Sequence, residues 1–243
     1  MLIAKGLWIS GLMLFLPEEK TLVVGDIHVG YEEALNRQGI LVPRFAFKDI
    51  MKALSEAVSE TAPEKIILLG DLKHEFGGIS DQEWTDALKV LDFLKKKAEV
   101  IIVKGNHDTL LEPIARRKGV EIKDYHYARG FFFCHGDRLF GRNKDFKKAK
   151  VVVIGHEHPA IGIRDGARVE RYKCFLVGKY AGKELVVLPS INPVTEGTDV
   201  LHEKLLSPYI KDIDGFRAII VSDKPYDFGK IKKLRKMNDG ADA

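Results

Sequence analysis

The apolar positions of this chain fall into short runs, and the strongest runs are continuous rather than alternating. TLVVGD (21–26), KIILLGD (65–71), EVIIVKGNHD (99–108), FFFCHGD (131–137) and VVVIGHEH (151–158) each begin β-rich and end in a polar cluster containing glycine. Continuous runs such as IILL and VVVI predict strands buried on both faces. Amphipathic stretches lie between them. They predict helices from about 32 to 38, from about 47 to 61, and from Asp81 to about Lys97, with Asp81 as the N-cap. RVERYKCFLVGKYAGKELVVLPS (168–190) reads as a hairpin turning at Ala181–Gly182, and FRAIIVS (216–222) as the last strand. The first sixteen residues, MLIAKGLWISGLMLFL, are broken by Lys5 and Gly11 and are followed by no A-x-A pattern. They read as two short strands with a turn at Lys5–Gly6 or near Ser10–Gly11, not as a signal peptide.

Strands alternating with helices make the fold class α/β. Residues 1–222 are expected to form a single domain, because no second segment carries a core of its own. Residues 223–243 are polar and basic and read as a C-terminal extension. The length of 243 residues, 45% hydrophobic and 30% charged, is that of an ordinary globular protein and excludes collagen-like, coiled-coil and disordered chains. No apolar run approaches the roughly 20 residues of a membrane span, so no membrane association is expected. The net charge of +4 does not by itself point to nucleic acid. Cys134 and Cys174 are the only cysteines, which fits a reduced, cytoplasmic protein. Cys134 should be a buried structural thiol, since it precedes His135 on a strand and faces the other way.

The strand ends carry the chemistry. They are Asp26-Ile-His28-Val-Gly30, Gly70-Asp71-Leu-Lys-His74, Gly105-Asn106-His107-Asp108, His135-Gly136-Asp137 and Gly155-His156-Glu-His158. Six of the eight histidines lie in them, a bias that scattered histidines would not show. In open α/β sheets ligands sit outside the carboxyl ends of strands, so all five clusters should share one rim. Carboxylates with imidazoles suit divalent transition ions better than calcium. Any one cluster alone also suits a plain turn or a helix cap. The weight lies in the set and its order.

That ordered set resembles the calcineurin-like metallophosphoesterases, whose pattern is D-x-H, G-D, G-N-H-[DE], H, G-H-x-H; every element is present between residues 26 and 158. The D-x-H-x-G and G-D-L-x-H forms and the compact length are similar to the SbcD-related branch, which includes small phosphoesterases linked to DNA-repair ligases and helicases. The resemblance implies a four-layer α/β/β/α sandwich and two divalent transition-metal ions, manganese first, with iron, zinc, cobalt or nickel as alternatives. It implies Asp26, His28 and His158 on one ion, Asn106, His135 and His156 on the other, and Asp71 bridging. His107 matches the family's catalytic histidine. His74 would contact the substrate phosphate or cap its turn, and Asp108 would orient His107 or cap the following helix. The implied reaction is phosphodiester hydrolysis by in-line attack of a metal-bridging hydroxide, with a repair ligase or helicase as partner.

Three functions stay open. A nuclease acting on DNA, single-stranded or looped, is favoured by the resemblance and by Arg142, Lys144, Lys147, Lys148 and Lys150, which lie between two ligand motifs, and by Lys230, Lys232, Lys233, Arg235 and Lys236 near the C-terminus. The first of these segments is expected near the metal rim, although either run is also an ordinary solvated face. A small-molecule phosphatase or cyclic-nucleotide phosphodiesterase would use the same metal chemistry. A non-enzymatic scaffold on the same fold is disfavoured by the complete ligand set. Leu7-Trp8-Ile9 suits core packing or an edge interface in an oligomer.

Overall fold

The computed structural model describes residues 1–42, 45–165 and 168–239. Its first sheet has seven strands in chain order. Strands β1 (Leu2–Ala4), β2 (Leu7–Ser10) and β3 (Met13–Leu16) run antiparallel into β4 (Thr21–Val24). Strands β5 (Lys65–Leu68), β6 (Glu99–Val103) and β7 (Glu121–Lys123) then add in parallel. The opening segment therefore forms three strands, not two. It turns at both suggested places, where Gly6 and Gly11 take left-handed backbone.

Helices α1 (Tyr31–Arg37), α2 (Ala46–Thr61), α3 (Asp81–Lys95) and α4 (Glu112–Lys118) make the crossovers that parallel pairing requires. Ser80, not Asp81, is the N-cap of α3. Its hydroxyl accepts the Glu83 N–H at 3.1 Å while the Glu83 carboxylate accepts the Ser80 N–H at 2.8 Å. A Ser with Glu three residues on satisfies two orphan donors at once, which a single aspartate does not.

The second sheet contains β8 (His126–Ala128), β9 (Phe131–Phe133), β10 (Val151–Ile154), β11 (Pro159–Asp165), β12 (Arg168–Tyr180), β13 (Lys183–Val187), β14 (Thr198–Asp199), β15 (Arg217–Val221) and β16 (Pro225–Lys230). Strands β9, β10 and β13 are parallel at its centre. The hairpin of β12 and β13 turns at Ala181–Gly182, as the sequence indicates. FRAIIVS is not the last strand. β16 pairs with β15, and α6 (Ile231–Asp239) follows, after the earlier short helix α5 (Lys144–Lys148). Most of β16 is exposed, so its sequence shows no apolar alternation. The buried Ile231 nevertheless ties α6 to the core.

Strand periodicity sorts the apolar runs into three layers. Ile66 and Leu68 pack with Leu54, Leu91 and Ile114 under α2, α3 and α4. Ile67 and Leu69 point the other way and meet Phe133, Val153, Phe175 and Val186 of the second sheet. Phe132, Val152 and Leu185 face outward again, under Phe146, Tyr209 and Ile231. The result is an α/β/β/α sandwich whose second outer layer is built from two small helices and long connecting segments. Cys134 lies in that layer, fully buried, with its thiol pushed up to about 12 by burial. No helix among the described residues is long and apolar enough to cross a membrane.

The sandwich also fixes the basic segment that follows the His135 motif, and not where the sequence reading expects it. β9 and β10 are parallel, so the chain must return from the carboxyl end of β9 to the amino end of β10. The Lys150 N–H bonds Gly130, the residue before β9, at 2.8 Å. Lys183 donates to the Lys147 and Ala149 carbonyls at 3.0 and 2.6 Å. Lys147, Lys148 and Lys150 thus lie at the amino ends of the strands, roughly 13 Å of strand away from the histidine rim. Arg235 is occupied as well, bonding Asp214 and the Val200 and Leu201 carbonyls.

Candidate metal centre

The five strand-end clusters meet at one rim, along the seam where the two sheets face each other. β4, β5 and β6 deliver Asp26–His28, Asp71 and Asn106–His107; β9 and β10 deliver His135 and His156–His158. The donor atoms of Asp26, His28 and His158 all lie within 4.8 Å of one another, and so do those of Asp71, His135 and His156. Asn106 joins the second group, its Oδ1 2.9 Å from His135 Nε2. Asp71 touches both groups, with Oδ2 3.7 Å from His28 Nε2 and 3.2 Å from His135 Nε2.

Close approach is built into the backbone. Among the described residues, eight non-glycine residues take left-handed backbone, and His28, Asp71, His156 and His158 are four of them. Such a conformation costs an L-residue about 1 kcal/mol or more, and its concentration here is the mark of a functional constraint. Gly105 and Gly155 are required for a different reason. A Cβ at Gly105 would strike the Asp71 carboxylate, and one at Gly155 would strike that of Asp26.

The arrangement calls for cations. His28 Nε2 faces His158 Nε2 at 3.2 Å, and His135 Nε2 faces His156 Nδ1 at 3.2 Å. Each couple brings two ring nitrogens together beside a buried carboxylate oxygen, at 3.2 Å in both cases, a spacing that one cation can share. The His135 tautomer is settled by its Nδ1–H, which donates to the Leu69 carbonyl at 3.0 Å. Its Nε2 converges with His156 Nδ1 on Asp71 Oδ2 and Asn106 Oδ1. Burial alone would lower the His135 pKa, but the hydrogen bond and charge of Asp71 overcome it and hold the ring up to about 10. The field that retains a proton there would retain a divalent cation. His28 is pushed down to about 3 by burial and by His158, so its ring is neutral and ready to ligate near pH 7. Burial opposes ionisation of Asp26 and Asp71, yet neighbouring histidines hold both carboxyls below the usual range. The donor set thus fits two divalent ions, with imidazole and carboxylate on each.

His107, His74 and Asp108 stand around this set in different roles. The His107 N–H donates to Asp71 Oδ1 at 2.9 Å, and its Nδ1 donates to the His74 carbonyl, which turns Nε2 toward Asp71 Oδ2, 4.0 Å away. His74 stacks on Tyr31, with ring centroids 4.1 Å apart, and on His107 at 5.5 Å. Burial and the nearby His107 push it down to about 4. Its side chain faces the histidine cluster and caps no turn among the hydrogen bonds described. Asp108 is buried and accepts the N–H groups of Asp71, Leu72 and Gly105 at 2.7, 3.0 and 3.0 Å. It staples the β5 and β6 loops together, which is neither of the two roles expected for it. Burial and Asp71 raise its carboxyl to about 6.

The sequence reading missed three supports. Glu83 accepts the His74 and Glu75 N–H groups at 3.0 and 2.6 Å. Glu157, between two ligand histidines, is fully buried and accepts the Leu206 and Ser207 N–H groups, each at 2.8 Å. Ser190 and Asn192, after β13, bond the carbonyls of Asp26–His28. Only the His-Glu-His spacing carried a signal, since the middle residue of such a turn must point away from its neighbours.

Comparison with known proteins places the fold. The chain is similar to the nuclease MPE of Pseudomonas putida, with 20% identity over 90% of this chain and 94% of that one and a TM-score of 0.65, which marks a common fold. Looser likenesses are to the phosphoesterase YfcE of E. coli (15% identity, 84% and 88% covered, TM-score 0.38) and to Vacuolar Protein Sorting 29 of Cryptosporidium parvum (16%, 86% and 97%, 0.40). No curated protein sequence matches. A sequence model of the calcineurin-like phosphoesterases matches residues 19–222, which include every candidate ligand. The chain belongs to the calcineurin-like phosphoesterase family.

Proposed function

We propose that the protein is a phosphodiesterase that cuts DNA with two divalent ions, one held by Asp26, His28 and His158, the other by Asn106, His135 and His156, with Asp71 shared. The observation that carries this reading is the pair of facing imidazole couples, each backed by a buried carboxylate, with His107 beside them. The Pseudomonas putida chain of the same fold is a nuclease, which supports a nucleic acid as substrate. The intact histidine set supports catalysis rather than a scaffold role.

When bound, such ions supply a water acidic enough to attack phosphorus near neutral pH. The chain's own residues do the rest. Asp26 and Asp71 stay ionised and set the negative charge of the site. His107, with its Nδ1–H committed to the His74 carbonyl, can in its imidazolium form give the second proton, on Nε2, to the departing oxygen or stabilise charge on the phosphoryl oxygens. Asp108 keeps the Asp71 and Asn106 loops in register.

Chelated protein resupplied with Mn²⁺ is expected to hydrolyse a simple aryl diester and single-stranded DNA faster than an aryl monoester or cyclic nucleotides. Mn²⁺ should outperform Mg²⁺, because imidazoles outnumber carboxylates in the donor set. A preference for the monoester would overturn the diesterase reading in favour of a small-molecule phosphatase. The position of α5 gives a second expected result. Lys147→Glu with Lys148→Glu should leave both DNA cleavage and its salt dependence unchanged, since these side chains lie at the far end of the strands. A DNA-specific loss would show that substrate wraps the sandwich.

A further inference from the structure

The turn that bears Asp26 and His28 is held from two sides, and only one side belongs to its own sheet. Its N–H groups are taken by the first sheet: Ile27 and His28 both donate to the Asp71 carbonyl, at 3.1 and 2.9 Å. Its carbonyls are taken by a segment of the second sheet. Ser190 Oγ donates to the Asp26 carbonyl at 2.7 Å, and Asn192 Nδ2 donates to those of Ile27 and His28 at 3.0 and 2.9 Å. Asn192 and Ser190 are each only 1% exposed. Their own conformation is also fixed. Ser190 Oγ accepts the Asn192 N–H at 3.1 Å, Asn192 Oδ1 accepts the Val194 N–H at 3.0 Å, and Lys173 Nζ donates to the Ser190 and Asn192 carbonyls.

Packing alone does not call for this chemistry. An apolar residue would fill the place of Asn192, but it would leave two buried carbonyls without donors. Nor is a lysine such as Lys173, half-buried with no carboxylate bonded to its amine among the described residues, a cheap way to brace a loop. The braced turn holds His28, one of the left-handed residues of the site, so its backbone will relax if released. Among the contacts described, Asp71, Asn106, His135 and His156 make no bond to Ser190 or Asn192; Asp71 and His156 meet the braced turn only at one remove, through the Asp71 carbonyl and through the His156 N–H on the Asp26 carboxylate.

We propose that Asn192, with Ser190 beside it and Lys173 behind, is a positioning residue for one half of the metal centre: it presents Asp26 and His28 directly to the first ion and reaches the second ion's ligands only through the Asp71 carbonyl and the His156 N–H. This rests on the two-ion reading above. Partners that orient ligands from outside the coordination sphere change metal affinity by about 10–100-fold, and here the change should fall chiefly on one site of two.

The test is calorimetric titration of Mn²⁺ into chelator-treated protein, with amide hydrogen exchange measured on the same metal-free samples. Wild type should bind two ions. Asn192→Ala should bind one ion roughly tenfold or more weakly, with a clearly smaller loss at the other. Exchange should speed up at Ile27 and His28 and stay unchanged at Gly105 and His107. Ser190→Ala, which removes a single hydroxyl, should give the same pattern more weakly if Asn192→Ala does not fold, and Ser190→Thr should restore it. Equal loss at both sites, or faster exchange throughout, overturns the proposal by making the segment a general structural brace. Unchanged affinities overturn it too. A wild type that binds fewer than two ions overturns the two-ion reading itself, and this proposal with it.

Discussion

Asp71→Asn protein is expected to fold, to bind neither ion tightly, and to lose hydrolysis by at least about 10³-fold. The scale follows from single charge-stabilising groups, whose removal already costs 10²–10³; Asp71 serves two donor sets at once. Its Oδ2 stands within reach of His28 and His135, and its Oδ1 holds the His107 N–H. An amide keeps the size and can keep the bond to His107, but it removes the charge that His135 answers. Metal analysis of the purified variant beside its rate on an aryl diester reads both effects. Near-normal activity in Asp71→Asn protein would end the shared-ligand reading.

His107→Ala should behave in the opposite way. Its ring lies outside both donor groups that surround Asp26 and Asp71, so metal content should stay at the wild-type level while kcat falls about 10²-fold, the ordinary scale for one general acid. Loss should be smaller with an aryl leaving group, which departs with little need of a proton, than with an alkyl one. KM should change little, because the interaction is made in the transition state. Equal losses for aryl and alkyl esters would limit His107 to stabilising phosphoryl charge; loss of an ion would make it a ligand.

The clustering of the candidate ligands was legible in the sequence for a physical reason. Each motif follows a strand that must be apolar on both faces, and two of them need glycine, at 105 and 155, where a side chain would strike a carboxylate. Those constraints are local, so they leave local patterns. The supports of the site left almost none. Ser190 and Asn192 act on carbonyls about 165 residues earlier in the chain, and nothing near them in sequence announces it. Glu83 looked like one more polar residue of an amphipathic helix, and its bonds to the His74 loop depend on how that loop folds back. The basic segment before β10 was misplaced because a run of charge says what a surface is made of, not which end of a sheet it occupies; the parallel pairing of β9 with β10 decides that. β16 escaped notice because an exposed edge strand has no apolar face to advertise it.

The seam between the sheets has a consequence for how the protein tolerates change. Each candidate donor group draws on both sheets, so donor spacing is a readout of how the inner faces pack. Leu69 and Val103 from one sheet and Phe133 and Phe175 from the other form that packing. A methylene lost there would leave each sheet internally paired and the chain folded, yet let the two faces slide by a fraction of an ångström. Such a substitution, remote from every histidine, would register first as poorer catalysis and only later as poorer folding. Drift in the outer helical layers would do the reverse. The inner layer is therefore where sequence variation is screened by chemistry, and the outer layers are where it is screened by stability.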